Sequence, residues 1–353
     1  MTLKIKRTKA AILVKQKTPL VLDYITLPNR LFTGQVLVKI KYSGICGSQL
    51  GEIEGVKGKD KYLPHLLGHE ATGEVIDYHN SVKKINKGDA VLLHWMPGSG
   101  LSSSGPVYKW KNRNVNAGTV TTFNTYSIVS ENKITKIPTN SKDEKETLLL
   151  GCTASTAIGA VEKLAKLKKG QSIAVVGCGA IGLPLIKAAK ILGAKNIIAI
   201  DLSAAKLKFA KKFGANFLIN SSQTGFKEKI LKKFPKKLDH FFECTGNINV
   251  ISNAYECLKA NGNQILIGVP PFNKKAQFYT LDINLGKNLI GCKGGNFNPI
   301  KDLKRYMSFI KKKSFMAKSL ITNEVDLKDI NDVFSDMKKN KIKGKCIINL
   351  NQE

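Results

Sequence analysis

One ten-residue string constrains this 353-residue chain more than any other: Ile173-Ala174-Val175-Val176-Gly177-Cys178-Gly179-Ala180-Ile181-Gly182. The apolar run reads as a strand buried on both faces, and it passes directly into G-x-G-x-x-G at the start of a helical pattern. Gly177 serves a tight turn, Gly179 lets a pyrophosphate approach the backbone, and Gly182 permits close packing of helix on strand, with Ala180 and Ile181 between them. The free N–H groups and positive dipole end of the following helix suit phosphate. A glycine turn alone is a weak signal, but the next strand ends Ala199-Ile200-Asp201, an acid 19 residues beyond Gly182. A carboxylate there accepts hydrogen bonds from ribose hydroxyls. The competing reading of Asp201 is a helix N-cap before Ala204. Taken together, string and acid predict a dinucleotide site. Asp201 repels a 2′-phosphate, which favours NAD over NADP, although Lys206 and Lys208 nearby blur that preference.

Around this turn the pattern is alternating βα. Strands are expected at 172–176, 196–200, 240–242 and 264–267, with helices at 181–192 and 204–213, so a doubly wound parallel sheet is predicted. Residues 10–138 read differently, as short β runs at 11–14, 36–42, 73–78, 90–93 and 123–129 broken by Gly, Pro, Asn and Asp. Alternation such as Val36, Val38, Ile40 suits half-buried strands of an antiparallel, barrel-like domain. The last stretch offers helices at 301–311 and 329–339 and a closing strand at 345–350.

Composition narrows the partners. The formal charge is +31, yet only Arg7, Arg30, Arg113 and Arg305 are arginines, so 57 − 4 = 53 lysines carry it. Bidentate reading of phosphates and bases favours arginine, so specific nucleic-acid recognition is disfavoured; what the charge predicts is salt-sensitive attraction of anions. No apolar run approaches the ~18 residues that span a bilayer, so no membrane anchor is expected. Seven scattered cysteines, an odd number without a secretory leader, point to a reducing, cytoplasmic setting.

A second constellation carries metal chemistry. Tyr42-Ser43-Gly44-Ile45-Cys46-Gly47-Ser48 sets a thiol beside a hydroxyl, Leu67-Gly68-His69-Glu70-Ala71-Thr72-Gly73-Glu74-Val75 sets an imidazole beside a carboxylate, and Gly151-Cys152 offers a third soft ligand. Cys, His and Cys suit Zn²⁺ and leave a fourth tetrahedral position open. Singly, each residue reads equally well as a buried thiol or a core histidine.

The order G-I-C-G-S, G-H-E-A-T-G-E-V, G-C-T-A-S-T-A-I-G-A and then the glycine fingerprint resembles the medium-chain zinc-dependent alcohol dehydrogenases over essentially the whole chain. The resemblance implies a GroES-like catalytic domain at 1–150, completed by 297–353, and a Rossmann domain at 151–296. It implies Cys46, His69 and Cys152 as catalytic zinc ligands and Glu70 as a carboxylate able to approach the metal. Ser48 would hydrogen-bond the substrate oxygen, Thr156 would lie beside the nicotinamide, and Asp201 and Lys206 would contact the adenosine ribose. The strings Gly268-Val269-Pro270 and Cys292-Lys293-Gly294-Gly295 resemble loops near the nicotinamide, which adds Val269 to the cofactor site. The implied reaction is hydride transfer between an alcohol, polarised by zinc, and NAD, with a small alcohol or carbonyl as substrate and a homo-oligomer, dimer or tetramer, as the assembly.

The sequence also departs from that family. Gly51 stands where several members carry a relay histidine three positions beyond the serine, and Gln49 replaces an aspartate that supports the zinc-ligating histidine. Between Leu93 and Thr122 there is no cysteine, whereas many members hold a structural zinc there with four; one zinc per subunit is therefore expected. That segment carries Trp95, Tyr108 and Trp110, which read either as a substrate-pocket wall, Trp95 above all, or as anchors that pin the loop. Lys109, Lys111 and Arg113 read as solvated surface or as a welcome for an anionic substrate, and His94 as a further proton station. A sugar or polyol dehydrogenase, a zinc-free reductase and a basic polyanion binder on the same fold are the rival functions.

Overall fold

Two hydrophobic periods alternate along the chain, and each builds its own unit. The computed structural model describes residues 3–138, 143–222, 225–311 and 314–351. One unit runs to Cys152 and resumes with Asn298–Lys311 and from Ala317 onward; the other holds Thr153–Phe297.

In the first unit the period-2 stretches pair antiparallel. The long strand Gln35–Ile45 lies centrally, bonded to Ala71–Tyr78, to Tyr126–Ser130 and to the late strand Lys345–Asn349. Ala90–Leu93 and Ile134–Lys136 extend the sheet on one side, and Ile321–Asp326 joins Lys345–Asn349 in parallel on the other. Val36, Val38 and Ile40 point into a core shared with Val75, Val91, Ile348 and Phe334, which is why the alternation was readable. A second layer closes on itself as a barrel of Arg7–Leu13, Val21–Thr26, Val107–Trp110, Arg113–Asn116 and His65–Leu66. The hairpin 107–116 was not anticipated as strands. Its Val-Tyr-Lys-Trp alternates exposed and buried, but Gly and Ser around it masked the period.

The second unit is a six-stranded parallel sheet among the described residues, in the order Phe217–Asn220, Asn196–Asp201, Ser172–Val176, Leu238–Glu243, Leu258–Leu266, Asn288–Gly291. The order reverses at Ser172–Val176, the strand that feeds the glycine turn, which is where doubly wound sheets open a crevice for ligands. Strands Asn196–Asp201, Ser172–Val176 and Leu238–Glu243 are almost wholly buried, as expected where helices cover both faces of a parallel sheet. Helix Gly182–Ile191 follows the turn directly. Helix Ala204–Phe213 begins at Ser203, whose side chain accepts from Lys206 N–H, and ends at Gly214 with φ 118°. The N-cap role is therefore Ser203's, leaving Asp201 for other work. No helix among the described residues is long and apolar enough to cross a membrane.

Candidate functional site

In the first unit, strand Gln35–Ile45 delivers Cys46 in an extended conformation (φ −122°, ψ 153°) to the N-cap of helix Gly47–Ile53. His69 follows Gly68, whose φ of 91° no side chain adopts cheaply and whose added Cβ would collide with Thr122. Cys152 follows the buried single turn Leu148–Gly151. The two sulfurs and a ring nitrogen of His69 lie within 4.8 Å of one another, the one such cluster of three metal-ligating side chains among the described residues. Zn–S and Zn–N bonds near 2.3 and 2.0 Å place tetrahedral ligand atoms roughly 3.5–4 Å apart, so the donor set and its spacing fit zinc with a fourth position to spare.

The charges here are settled by proximity. The hydrogen bond between the thiols of Cys152 and Cys46 holds Cys46 well below the ordinary thiol range, helped by His69 and by Lys345. The same bond, with burial, drives Cys152 up. Burial opposes the charged form of His69, but its bond to Cys46 prevails and raises its pKa. Beneath them Lys345 is ion-paired to Glu70, both with fully buried side chains. Burial works against the ammonium, and the Glu70 carboxylate with the two thiols outweighs it, keeping Lys345 charged. Glu70 is wedged in a slot that only glycine leaves: a Cβ on Gly44 would come 2.7 Å from its carboxylate and one on Gly151 would come 2.8 Å from its Cβ. Sequence reading missed Lys345. Its one local signal is a lysine opening the otherwise apolar string Cys346-Ile347-Ile348.

Ser48 Oγ is buried and without a hydrogen-bond partner among the described residues, one residue inside the helix that Cys46 caps. A hydroxyl so placed calls for a polar partner from outside the chain. Gln49 reaches both ligands: its Oε1 accepts from Cys46 N–H at 2.7 Å and its Nε2 lies 2.6 Å from His69 Nδ1. Glu52, four residues beyond Ser48 on the same helix, has its carboxyl raised by burial; the sequence reading had not singled it out. His94 is committed elsewhere. Nδ1 donates to Met96 O at 2.7 Å, Nε2 accepts from Thr135 Oγ1 at 2.9 Å, and burial pushes its pKa down to about 4, so it is a neutral structural ring and no proton station. Tyr108 and Trp110 are anchors: Tyr108 OH accepts from Ile128 N–H, and Trp110 Nε1 donates to Asp23 at 2.8 Å. Trp95 is half-buried.

In the second unit the glycine turn has the geometry its sequence implied. Gly177 has φ 88°, a Cβ on Gly182 would strike the carbonyl of Gly177, and one on Gly179 would meet only open space, the space a pyrophosphate needs. Asp201 is 8% exposed and accepts from Cys178 N–H at 2.8 Å and from Ser203 N–H at 2.9 Å, so it braces the turn with one lone pair of each oxygen. The remaining lone pairs suit ribose hydroxyls. Lys206 is buried and Lys208 exposed. Thr156 is buried in helix Thr153–Gly159, and Val269 is half-exposed in the loop after Leu258–Leu266. The turn after strand Leu238–Glu243 is braced by the buried Glu243, whose carboxylate accepts from Thr245 N–H at 2.6 Å and Gly246 N–H at 3.0 Å; burial, the largest influence, raises its pKa. These residues fit a dinucleotide.

Comparison with known proteins gives the family. Residues 33–139 match the family described as alcohol dehydrogenase GroES-like domain, and residues 180–312 match zinc-binding dehydrogenase. Among curated proteins, alcohol dehydrogenase 1 of Solanum tuberosum is 30% identical, covering 98% of this chain and 97% of its own. A probable S-(hydroxymethyl)glutathione dehydrogenase 1 of Schizosaccharomyces pombe is 29% identical over 98% and 97%. Among solved structures, benzyl alcohol dehydrogenase of Acinetobacter calcoaceticus superimposes with a TM-score of 0.87 at 25% identity, covering 98% of this chain and 99% of its own. The 2R,3R-butanediol dehydrogenase of Bacillus subtilis gives 0.78 at 28% identity over 97% and 99%.

Proposed function

Because this chain belongs to the medium-chain zinc-dependent alcohol dehydrogenase family, we propose that it exchanges a hydride between an alcohol carbon and NAD at a centre built on Cys46, His69 and Cys152. The observation that carries this reading is the thiol–imidazole–thiol cluster with the unpartnered Ser48 hydroxyl beside it in sequence. A zinc ion held there would supply Lewis-acid charge that favours the deprotonated alcohol, and NAD would supply the hydride acceptor.

The chain's own residues do the rest. Cys46 and Cys152 neutralise the ion as thiolates, and three protein ligands leave a position for the substrate oxygen. Ser48 would orient that oxygen and relay its proton, releasing its own hydroxyl proton as it accepts the alcohol's. Glu52, one helical turn further and raised by burial, is the carboxyl suited to carry the proton on in place of the histidine that Gly51 lacks. Lys345 holds Glu70 as a buried partner beside the metal ligands. In the nucleotide unit, Gly177, Gly179, Ala180, Ile181 and Gly182 receive the pyrophosphate, Asp201 and Lys206 the adenosine ribose, and Thr156 and Val269 the nicotinamide. Catalysis is assigned to 1–150 with 297–353, and cofactor binding to 151–296.

The stretch between Leu93 and Thr122 contains no cysteine, which supports one zinc per chain. The names of the relatives above, a benzyl alcohol and a butanediol dehydrogenase among them, support a small-molecule alcohol or carbonyl compound as the substrate. A homo-oligomer is supported by the edge strand Asn288–Gly291 and the exposed Tyr279, Leu281, Ile283 and Leu285 that precede it. Free cysteines throughout the described residues favour a cytoplasmic setting. The deciding experiment pairs metal analysis with a screen for NADH formation across primary, secondary, aromatic and polyhydric alcohols. One zinc per chain and turnover with at least one class is expected; a reproducible two zincs, or no turnover with any alcohol, refutes the reading.

A further inference from the structure

Gln49 is 1% exposed, and its amide is engaged at both ends. Oε1 accepts from the backbone N–H of Cys46, the returning half of the capping box that opens helix Gly47–Ile53. A backbone N–H can only donate, so this bond fixes which end of the amide is oxygen. The NH₂ end therefore faces Nδ1 of His69 at 2.6 Å. Two donors do not bond, so in this arrangement Nδ1 is the bare acceptor, and a neutral ring then carries its one proton on Nε2. Yet Nε2 is the nitrogen left for the metal, and ligation through it requires its lone pair and moves the proton to Nδ1. Two donors, Cys46 N–H and His69 Nδ1–H, then compete for one oxygen. A carboxylate at this position would accept from both.

We propose that Gln49 is a positioning residue of the metal centre whose amide turns over when the metal is held, carrying its single oxygen from the Cys46 N–H to the Nδ1–H of His69. The proposal rests on the reading of Cys46, His69 and Cys152 as metal ligands. Turned over, the amide orients His69 for ligation but leaves the Cys46 N–H facing an NH₂ group within the site. The chain thereby holds zinc more weakly, by roughly 10- to 100-fold, than one with an acceptor for each donor.

The isosteric Gln49→Glu variant supplies the second oxygen at the same reach. Titration of full-length wild type and variant against a chromophoric zinc chelator reads stoichiometry and affinity together. The variant should hold zinc about 10- to 100-fold more tightly; equal or weaker holding overturns the proposal. The added negative charge would itself favour zinc, so the ring is read as well. With nitrogen-15-labelled histidine at one fixed pH, wild-type His69 should carry its proton on Nε2 without zinc and on Nδ1 with it, while the variant carries it on Nδ1 in both. A wild-type ring protonated at Nδ1 both with and without zinc overturns the proposal whatever the affinities. A wild-type chain that takes up no zinc refutes the metal-site reading itself, and the stoichiometry in the same titration tells that failure from the other.

Discussion

The nucleotide turn is a run of consecutive residues whose working parts are backbone N–H groups and the space that glycines leave open. The candidate metal centre gathers side chains from 46–52, 69–70, 152 and 345, brought together by strand pairing, with the charges of Glu70 and Lys345 fully buried. The difference is one of tolerance. A backbone site accepts changes in side-chain chemistry but not added bulk, whereas a side-chain site accepts no change of chemistry and depends on neighbours that no motif names.

The largest effect should come from deleting a ligand. Cys152→Ala removes one of the three ligands proposed for the metal, and a loss of several kcal/mol of charge stabilisation corresponds to a fall in turnover of about a thousandfold or more. NAD binding, read by fluorescence titration, should stay nearly unchanged, and retained turnover would break the contrast between the sites. Next comes Lys345→Met, which leaves the buried Glu70 carboxylate without its ammonium; losing one partner of a buried pair costs about 3–5 kcal/mol. Thermal unfolding should show this as a large drop in Tm, and an unchanged Tm would mean the pair is not buried as described. Gly182→Ala puts a methyl against the Gly177 carbonyl, and overpacking of this kind costs about 1–3 kcal/mol. Weakened NAD binding with zinc content intact is the expected signature. Smallest is Asp201→Ala, which strips an acceptor from Cys178 N–H and Ser203 N–H; NAD should weaken about tenfold, the size of one hydrogen bond, and discrimination against NADP should relax. Unchanged cofactor kinetics would remove Asp201 from the ribose site.

What could be read from the sequence follows the same division. Helix Ala204–Phe213 was legible to its last residue because Ser203 and Gly214 bracket it with local chemistry. Cys46, His69 and Cys152 were legible because zinc demands those residue types, whatever their separation. Lys345 was not, since nothing near it in sequence says that strand Lys345–Asn349 lies beside Ile45 and so beside Cys46. Gln49 stood out as a departure, but its consequence depends on which end of an amide faces which donor, and only the fold supplies that. The hairpin 107–116 was missed because two buried aromatics are too few to declare a period against Gly and Ser.

The pairing of Lys345–Asn349 with Gln35–Ile45 also sets an order of assembly. On the ribosome, Cys46, His69 and Glu70 emerge long before Lys345 exists, and for that interval Glu70 and the nearby thiol lack the ammonium that balances them in the finished fold. The candidate metal site thus reaches electrical balance only once strand Lys345–Asn349 has been made. A variant truncated before strand Lys345–Asn349 would therefore keep the thiols and the imidazole yet lose the one ammonium that is paired with Glu70.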